Sequence, residues 1–139
     1  MPIQIVIDTN VLVAAARSNA GASFEVLRLF AAGDARWQWN VSTALLLEYE
    51  AVLKREQHRH GRSLAVVDRF LDDLAARANQ HAIFYLIRPF LADPGDELIL
   101  KLALASASDY IVTYNRGDFR DAGRFGLSVL TPGEFLRII

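Results

Sequence analysis

The 139-residue chain has no cysteine, which excludes a disulfide framework and any thiolate-ligated metal site. It also lacks an excess of either charge: 15 Lys and Arg stand against 16 Asp and Glu, for a formal net charge of −1. No global positive field draws it to nucleic acid, so any such binding has to come from local patches. No stretch approaches the roughly 18 uncharged apolar residues of a membrane span. The opening MPIQIVIDTN has neither the basic nor the long apolar region of a signal peptide. The expected location is the cytoplasm, with no membrane partner. Repeats, low-complexity tracts and linkers are absent too. Apolar residues are plentiful at 53%, which argues for one well-filled globular domain over residues 1–139 and against a disordered, partner-binding chain.

The apolar pattern alternates between strand and helix. Ile3–Ile7 is a short β-branched run of the kind buried on both faces of a sheet. A helix is expected over Val11–Arg17, and another over Phe24–Ala32, stopping at Gly33. Trp37, Trp39 and Val41 alternate with polar neighbours as a strand does. Ser42 or Thr43 then caps a helix to about His58. Ser63 opens the next, from Leu64 to about Ala78, with Val66, Val67, Phe70, Leu71 and Leu74 as its apolar stripe. Further strands are expected at Ala82–Ile87, Tyr110–Tyr114 and Leu127–Leu130, with a helix from Asp93-Pro94 to about Ala107. Thr131-Pro132-Gly133-Glu134 matches a capping box. The alternation implies an α/β fold, a three-layer α/β/α sandwich around a mostly parallel sheet.

Four acids stand where such a fold gathers its chemistry. Ligands of open parallel sheets sit beyond the carboxyl ends of the strands. Asp8 directly follows the first strand, and Asp118 lies in the turn after Tyr110–Tyr114. Each acid also has a plainer reading as a helix cap or turn residue. Glu48 borders the apolar stripe of its helix, with Leu45, Tyr49 and Val52 at i−3, i+1 and i+4, while Glu50 turns toward water. Asp96 shares a face with Ile99, Leu100 and Ala103, while Glu97 and Lys101 are expected as a solvent-facing i, i+4 pair. Asp96 also suits the helix dipole as a first-turn acid, although Asp93 is the better simple N-cap. Carboxylates bordering a core are costly unless a proton, a partner or a metal offsets their charge. An oxygen-only set suits a hard cation, Mg²⁺ or Mn²⁺, rather than zinc. Phosphodiester hydrolysis is the natural chemistry of that arrangement.

The order of these motifs resembles the PIN-domain family. Ile5-Val6-Ile7-Asp8-Thr9-Asn10 is similar to its opening strand, and Ser42…Glu48-Tyr49 to its helix with one inward glutamate. Asp93-Pro94-Gly95-Asp96-Glu97 is similar to the third motif, and Thr113-Tyr114-Asn115-Arg116-Gly117-Asp118-Phe119 to the fourth. The likeness spans the chain and is closest to the VapC-type toxins of toxin–antitoxin pairs. It implies a PIN-like sandwich and a metal-dependent endoribonuclease that leaves 5′-phosphate ends. It also implies an RNA substrate, a small antitoxin partner and a homodimer. Asp8, Glu48 and Asp96 map onto the three core acids. Many members carry aspartate where this chain has Asn115, so Asp118 is expected to supply the fourth charge, with Asn115 positioning it or a water. Thr9 and Thr113 read either as strand-end residues or as hydrogen-bond partners of the carboxylates or of a phosphate. Arg116 and Arg120 are the cations best placed for phosphate.

Other features carry less. The basic stretch Lys54–Arg62 reads as an RNA grip or as a solvated helix end. His58 and His60 lack a neighbouring acid pattern for a metal pair. An aspartyl phosphatase would place a second aspartate two residues after Asp8, where Asn10 stands, and a phosphoacceptor domain would want a lysine near Thr113-Tyr114. The rivals left are a housekeeping RNA-processing nuclease and a PIN-like binding module that has lost catalysis.

Overall fold

A computed structural model describes residues 1–82 and 94–139. Five strands form one parallel sheet: β1 (Ile3–Ile7), β2 (Trp37–Ser42), β3 (Asn79–His81), β4 (Tyr110–Val112) and β5 (Ser128–Leu130), in the order β3-β2-β1-β4-β5. The helices are α1 (Thr9–Arg17), α2 (Ala22–Ala31), α3 (Thr43–Arg55), α4 (Gln57–His60), α5 (Leu64–Arg77), α6 (Pro94–Ala105) and α7 (Pro132–Ile138). A 3₁₀ segment covers Arg116–Phe125.

The chain winds from β1 out to β3, then crosses back to β4 and β5. Right-handed crossovers therefore place the helices of the two halves on opposite faces. Trp37 and Trp39 mark one face. Trp37 packs edge-on against Phe135 of α7, and Trp39 edge-on against Phe30 of α2 and Tyr49 of α3 and tilted against Phe70 of α5. On the other face α6 packs against β1, β2, β4 and the 3₁₀ segment. This is the three-layer α/β/α sandwich around a parallel sheet that the sequence predicts. The core runs through Ile5, Val6, Ile7, Trp39, Val41, Leu100, Leu102, Ile111 and Val112, all essentially inaccessible. Truncating one of its large side chains is worth about 3–5 kcal/mol.

Local chemistry sets several boundaries. Ser42 Oγ accepts from Leu45 N at 3.1 Å and Ser63 Oγ from Val66 N at 3.1 Å, opening α3 and α5. The capping box is present in both directions, Thr131 Oγ1 accepting from Glu134 N and Glu134 Oε1 from Thr131 N. Asn40, 1% exposed on β2, is satisfied by Gln4, the Ile5 carbonyl and His81. This explains how a polar residue sits in a strand covered on both faces.

Some expectations shift. α3 ends at Arg55 and a separate turn, α4, closes at Gly61 with φ +71°. Val66 is 45% exposed, so the buried stripe of α5 is Val67, Leu71 and Leu74. It stands at the rim of an apolar groove of about 350 Å³ with Leu12, Phe24, Leu27 and Phe70. The third strand is Asn79–His81, a polar triplet held by β2 and lying before the expected Ala82–Ile87 strand; Ala82 is outside any strand, and residues 83–87, like Asp93, lie outside the described residues. Among the described residues no helix is long and apolar enough to cross a membrane.

Candidate active site

The direction of strand succession reverses between β1 and β4, and the crevice beyond their carboxyl ends is where such sheets place ligands. Asp8 and Thr113 stand there. The Asp8 N–H donates to the Val112 carbonyl at 2.9 Å, extending the ladder one residue past β1. Asp8 occupies the N-cap position of α1, yet its side chain makes no capping hydrogen bond. The carboxylate, in a residue only 9% exposed, instead faces β4: Oδ2 accepts from Thr113 Oγ1 at 2.7 Å and from Asn10 Nδ2 at 3.3 Å.

Thr113 is fully buried, and its hydroxyl is a hub. It donates to Asp8 and accepts from Asn10 Nδ2 at 3.2 Å and from Asn115 N at 3.0 Å. Asn10 Oδ1 in turn accepts from Tyr114 N at 3.3 Å. A strand-end role for Thr113 therefore does not suffice, because its hydroxyl fixes one oxygen of Asp8. Asn10, which the sequence offers only as part of Asp-Thr-Asn, is the second anchor. Its polar side chain in the first turn of an otherwise apolar helix is the signal that marks it. Thr9 lines a cleft of about 350 Å³ with Asn10, Val13, Ala14, Arg17 and Val52.

Glu48 is positioned through its neighbour Tyr49. The Tyr49 hydroxyl is buried and donates to the Ile7 carbonyl, while Trp39 Nε1 donates to it at 3.3 Å. The bond pins α3 to the residue before Asp8 and fixes where the half-buried Glu48 emerges. Burial pushes the Tyr49 phenol well above its ordinary range; the Trp39 bond opposes this and the Asp8 charge adds to it. The phenol is thus a neutral donor beside a carboxylate. Asp96 stands half-buried in the first turn of α6, which also contacts α3. Asp118 is exposed in the first turn of the 3₁₀ segment, after Asn115, whose side chain makes no capping bond.

Asp8 directly follows β1, Asp96 and Asp118 lie in the first turns of α6 and of the 3₁₀ segment, and Glu48 lies in the second turn of α3. Their donors are oxygen only, which in kind fits a hard divalent cation. Among the described residues, however, no three Asp, Glu or His side chains are grouped closely enough to hold one ion. Within that limit the structure joins Asp8, Asn10, Thr113 and Asn115 by hydrogen bonds, and packs α6, which bears Asp96, against α3 and the 3₁₀ segment, which bear Glu48 and Asp118.

Several expected surface residues are otherwise engaged. Glu97 is buried, at 7% exposure, and not solvent-facing; its Lys101 partner, 3.8 Å away, is itself 14% exposed at the side chain. The reason is that α6 is covered by the sheet, α3 and the 3₁₀ segment, so an amphipathic phase does not describe it. Arg116 reaches back to Glu134 at 3.0 Å, and Arg120 to the Gly117 carbonyl. In the basic stretch, Lys54 pairs with Glu50 and Asp68, Arg59 with Glu56, and Arg62 with the Ala16 carbonyl. His60 is a satisfied buried side chain, its Nε2 donating to the Leu53 carbonyl and its Nδ1 accepting from Arg62 N. Arg17, which the sequence did not single out, is the guanidinium in the cleft that begins at Thr9.

A family model described as PIN domain matches residues 4–117. The match includes Asp8, Glu48, Asp96, Thr113 and Asn115, and ends one residue before Asp118. No curated protein matches the sequence. Among solved structures, the chain is similar to one from the crystal structure of VapBC2 from Rickettsia felis bound to a DNA fragment from their promoter. The TM-score is 0.59 at 17% identity, over 91% of this chain and 98% of that one. At that identity the likeness is one of fold.

Proposed function

Because the chain belongs to the PIN-domain family, whose members are generally nucleases using divalent metals, we propose that it is a Mg²⁺- or Mn²⁺-dependent endoribonuclease. The observation that carries the reading is the Asp8 carboxylate. It stands at the switch point, unspent on helix capping and oriented by Thr113 and Asn10. An Asp that served only as a cap would turn its oxygens to the amides of α1.

Asp8, Glu48, Asp96 and Asp118 would hold the cation. When bound, it supplies polarisation of a phosphate oxygen and a water of lowered pKa. Thr113 keeps Asp8 in one rotamer, and Tyr49 holds α3 so that Glu48 approaches the same edge. Asn115, tied through its N–H to Thr113, stands between that hydroxyl and Asp118, where it positions the acid or a water. Arg17 and the Thr9–Asn10 end of the cleft offer the substrate a cation and hydrogen-bonding groups.

The toxin of a toxin–antitoxin pair is the favoured setting, because the fold resembles a chain of VapBC2. That setting carries with it a small antitoxin partner, a homodimer and a cytoplasmic address. A small adjacent gene with a DNA-binding pattern favours it over housekeeping RNA processing.

The test is cleavage of single-stranded RNA by purified protein. EDTA should abolish it, Mg²⁺ or Mn²⁺ should restore it, and Asp96→Asn should stay inactive with either. Undiminished cleavage in EDTA overturns the metal mechanism. Folded protein that binds RNA and never cuts it leaves the binding-module reading.

A further inference from the structure

Tyr114 follows Thr113 directly, and its side chain is 46% exposed beside the crevice. Among the described residues Phe125 is the other aromatic exposed in this way, while both tryptophans are buried; Tyr114 is held at both ends. Its N–H donates to Asn10 Oδ1 at 3.3 Å, and its hydroxyl shares a 2.5 Å hydrogen bond with Ser23 Oγ on α2, a residue only 2% exposed. The same Asn10 side chain contacts Asp8 and Thr113. The ring is therefore a fixed apolar surface, indexed to the Asp8 carboxylate through one shared asparagine.

From this geometry we infer that Tyr114 is a substrate-positioning residue, a platform on which a nucleobase next to the scissile phosphate of RNA stacks. The inference rests on the ribonuclease reading above. Base–aromatic stacking tolerates every base because each has a π-face. A net charge of −1 leaves little electrostatic attraction to hold a strand, so stacking is a needed source of affinity. Anchoring the hydroxyl at Ser23 removes much of the ordering cost that a free tyrosine would meet on binding. Since the ring lies beside the site and not at the reacting atoms, its contribution belongs to substrate binding.

The alternative is that Tyr114 is only a strut joining the β4 end to α2. The two are separated by anisotropy of a labelled single-stranded RNA oligonucleotide in EDTA, where cutting is suspended, with cleavage by wild type in Mg²⁺ run in parallel. Tyr114→Ala should weaken binding by about 5- to 150-fold. Tyr114→Phe and Ser23→Ala, which break the hydroxyl bond but keep the ring, should stay within about threefold. Abasic substitution at each position in turn should find one whose loss weakens wild type and leaves Tyr114→Ala unchanged. Equal losses in Ser23→Ala and Tyr114→Ala make the ring a strut and overturn the inference. If wild type cleaves RNA and Tyr114→Ala binds as tightly, this inference alone fails. If wild type neither binds nor cleaves, the ribonuclease reading fails with it.

Discussion

At the scale of single residues, one hydroxyl ties together the groups around Asp8. Thr113 donates to Asp8 and accepts from Asn10 and Asn115 without contact with solvent. Replacing it with valine keeps shape and burial but deletes the fully buried donor of the 2.7 Å bond to Asp8. Thr113→Val should lower the cleavage rate by about 10- to 100-fold, as loss of a partner orienting a metal ligand does, while Thr113→Ser should keep most activity. Steady-state cleavage with melting curves for both variants checks this. Equal activity of the valine variant and wild type would return Thr113 to a strand-end role. The positions of Asp8 and Thr113 at the ends of apolar runs are legible in the sequence. Their mutual hydrogen bond is not, because 105 residues separate them and only the register of β1 on β4 brings them together.

At the scale of elements, the turn between α2 and β2 is fastened by Asp34. Its carboxylate accepts from the Arg36 guanidinium at 2.6 Å, from Arg36 N at 2.9 Å and from Trp37 Nε1 at 3.2 Å. The Arg36 side-chain bonds, with smaller contributions from its backbone N–H, its charge and the Trp37 indole, hold the Asp34 pKa down to about 2 against burial. A folded pKa below the unfolded one means that the stabilisation is present above about pH 4 and is lost as pH falls through about 2. Asp34→Asn should therefore melt below wild type at pH 7, and the gap should narrow between about pH 4 and pH 2. Thermal melts at pH 7, 4 and 2 measure it; a gap that stays constant rejects the assignment. Elements are legible where capping residues or a clear period mark them, as at Ser42, Ser63 and Thr131. They are not where tertiary cover overrides the local pattern. Helix phase predicts Glu97 in water, yet α6 is covered on more than one side. The Asn79–His81 strand has no apolar signature because carboxamide and imidazole bonds across β2 and β3 hold it.

At the scale of the whole molecule, the parallel sheet and its single reversal between β1 and β4 decide where chemistry is possible. A helix that follows a strand of a parallel sheet starts at the carboxyl edge, which is where such folds place ligands. The alternation of strands and helices made this architecture legible in the sequence. How far the four carboxylates approach one another is a matter of side-chain placement, which periodicity does not specify. The central claim is that Asp8, Glu48 and Asp96 jointly hold one kind of divalent cation. Calorimetric titration with Mn²⁺ of the intact protein, without RNA, tests it most directly. Wild type should bind saturably, Asp8→Asn, Glu48→Gln and Asp96→Asn should each weaken binding by at least about tenfold, and Glu50→Gln, already paired with Lys54 on the outer face of α3, should bind as wild type does. Acid variants that bind like wild type, or a Glu50→Gln variant that loses binding with them, would contradict the account.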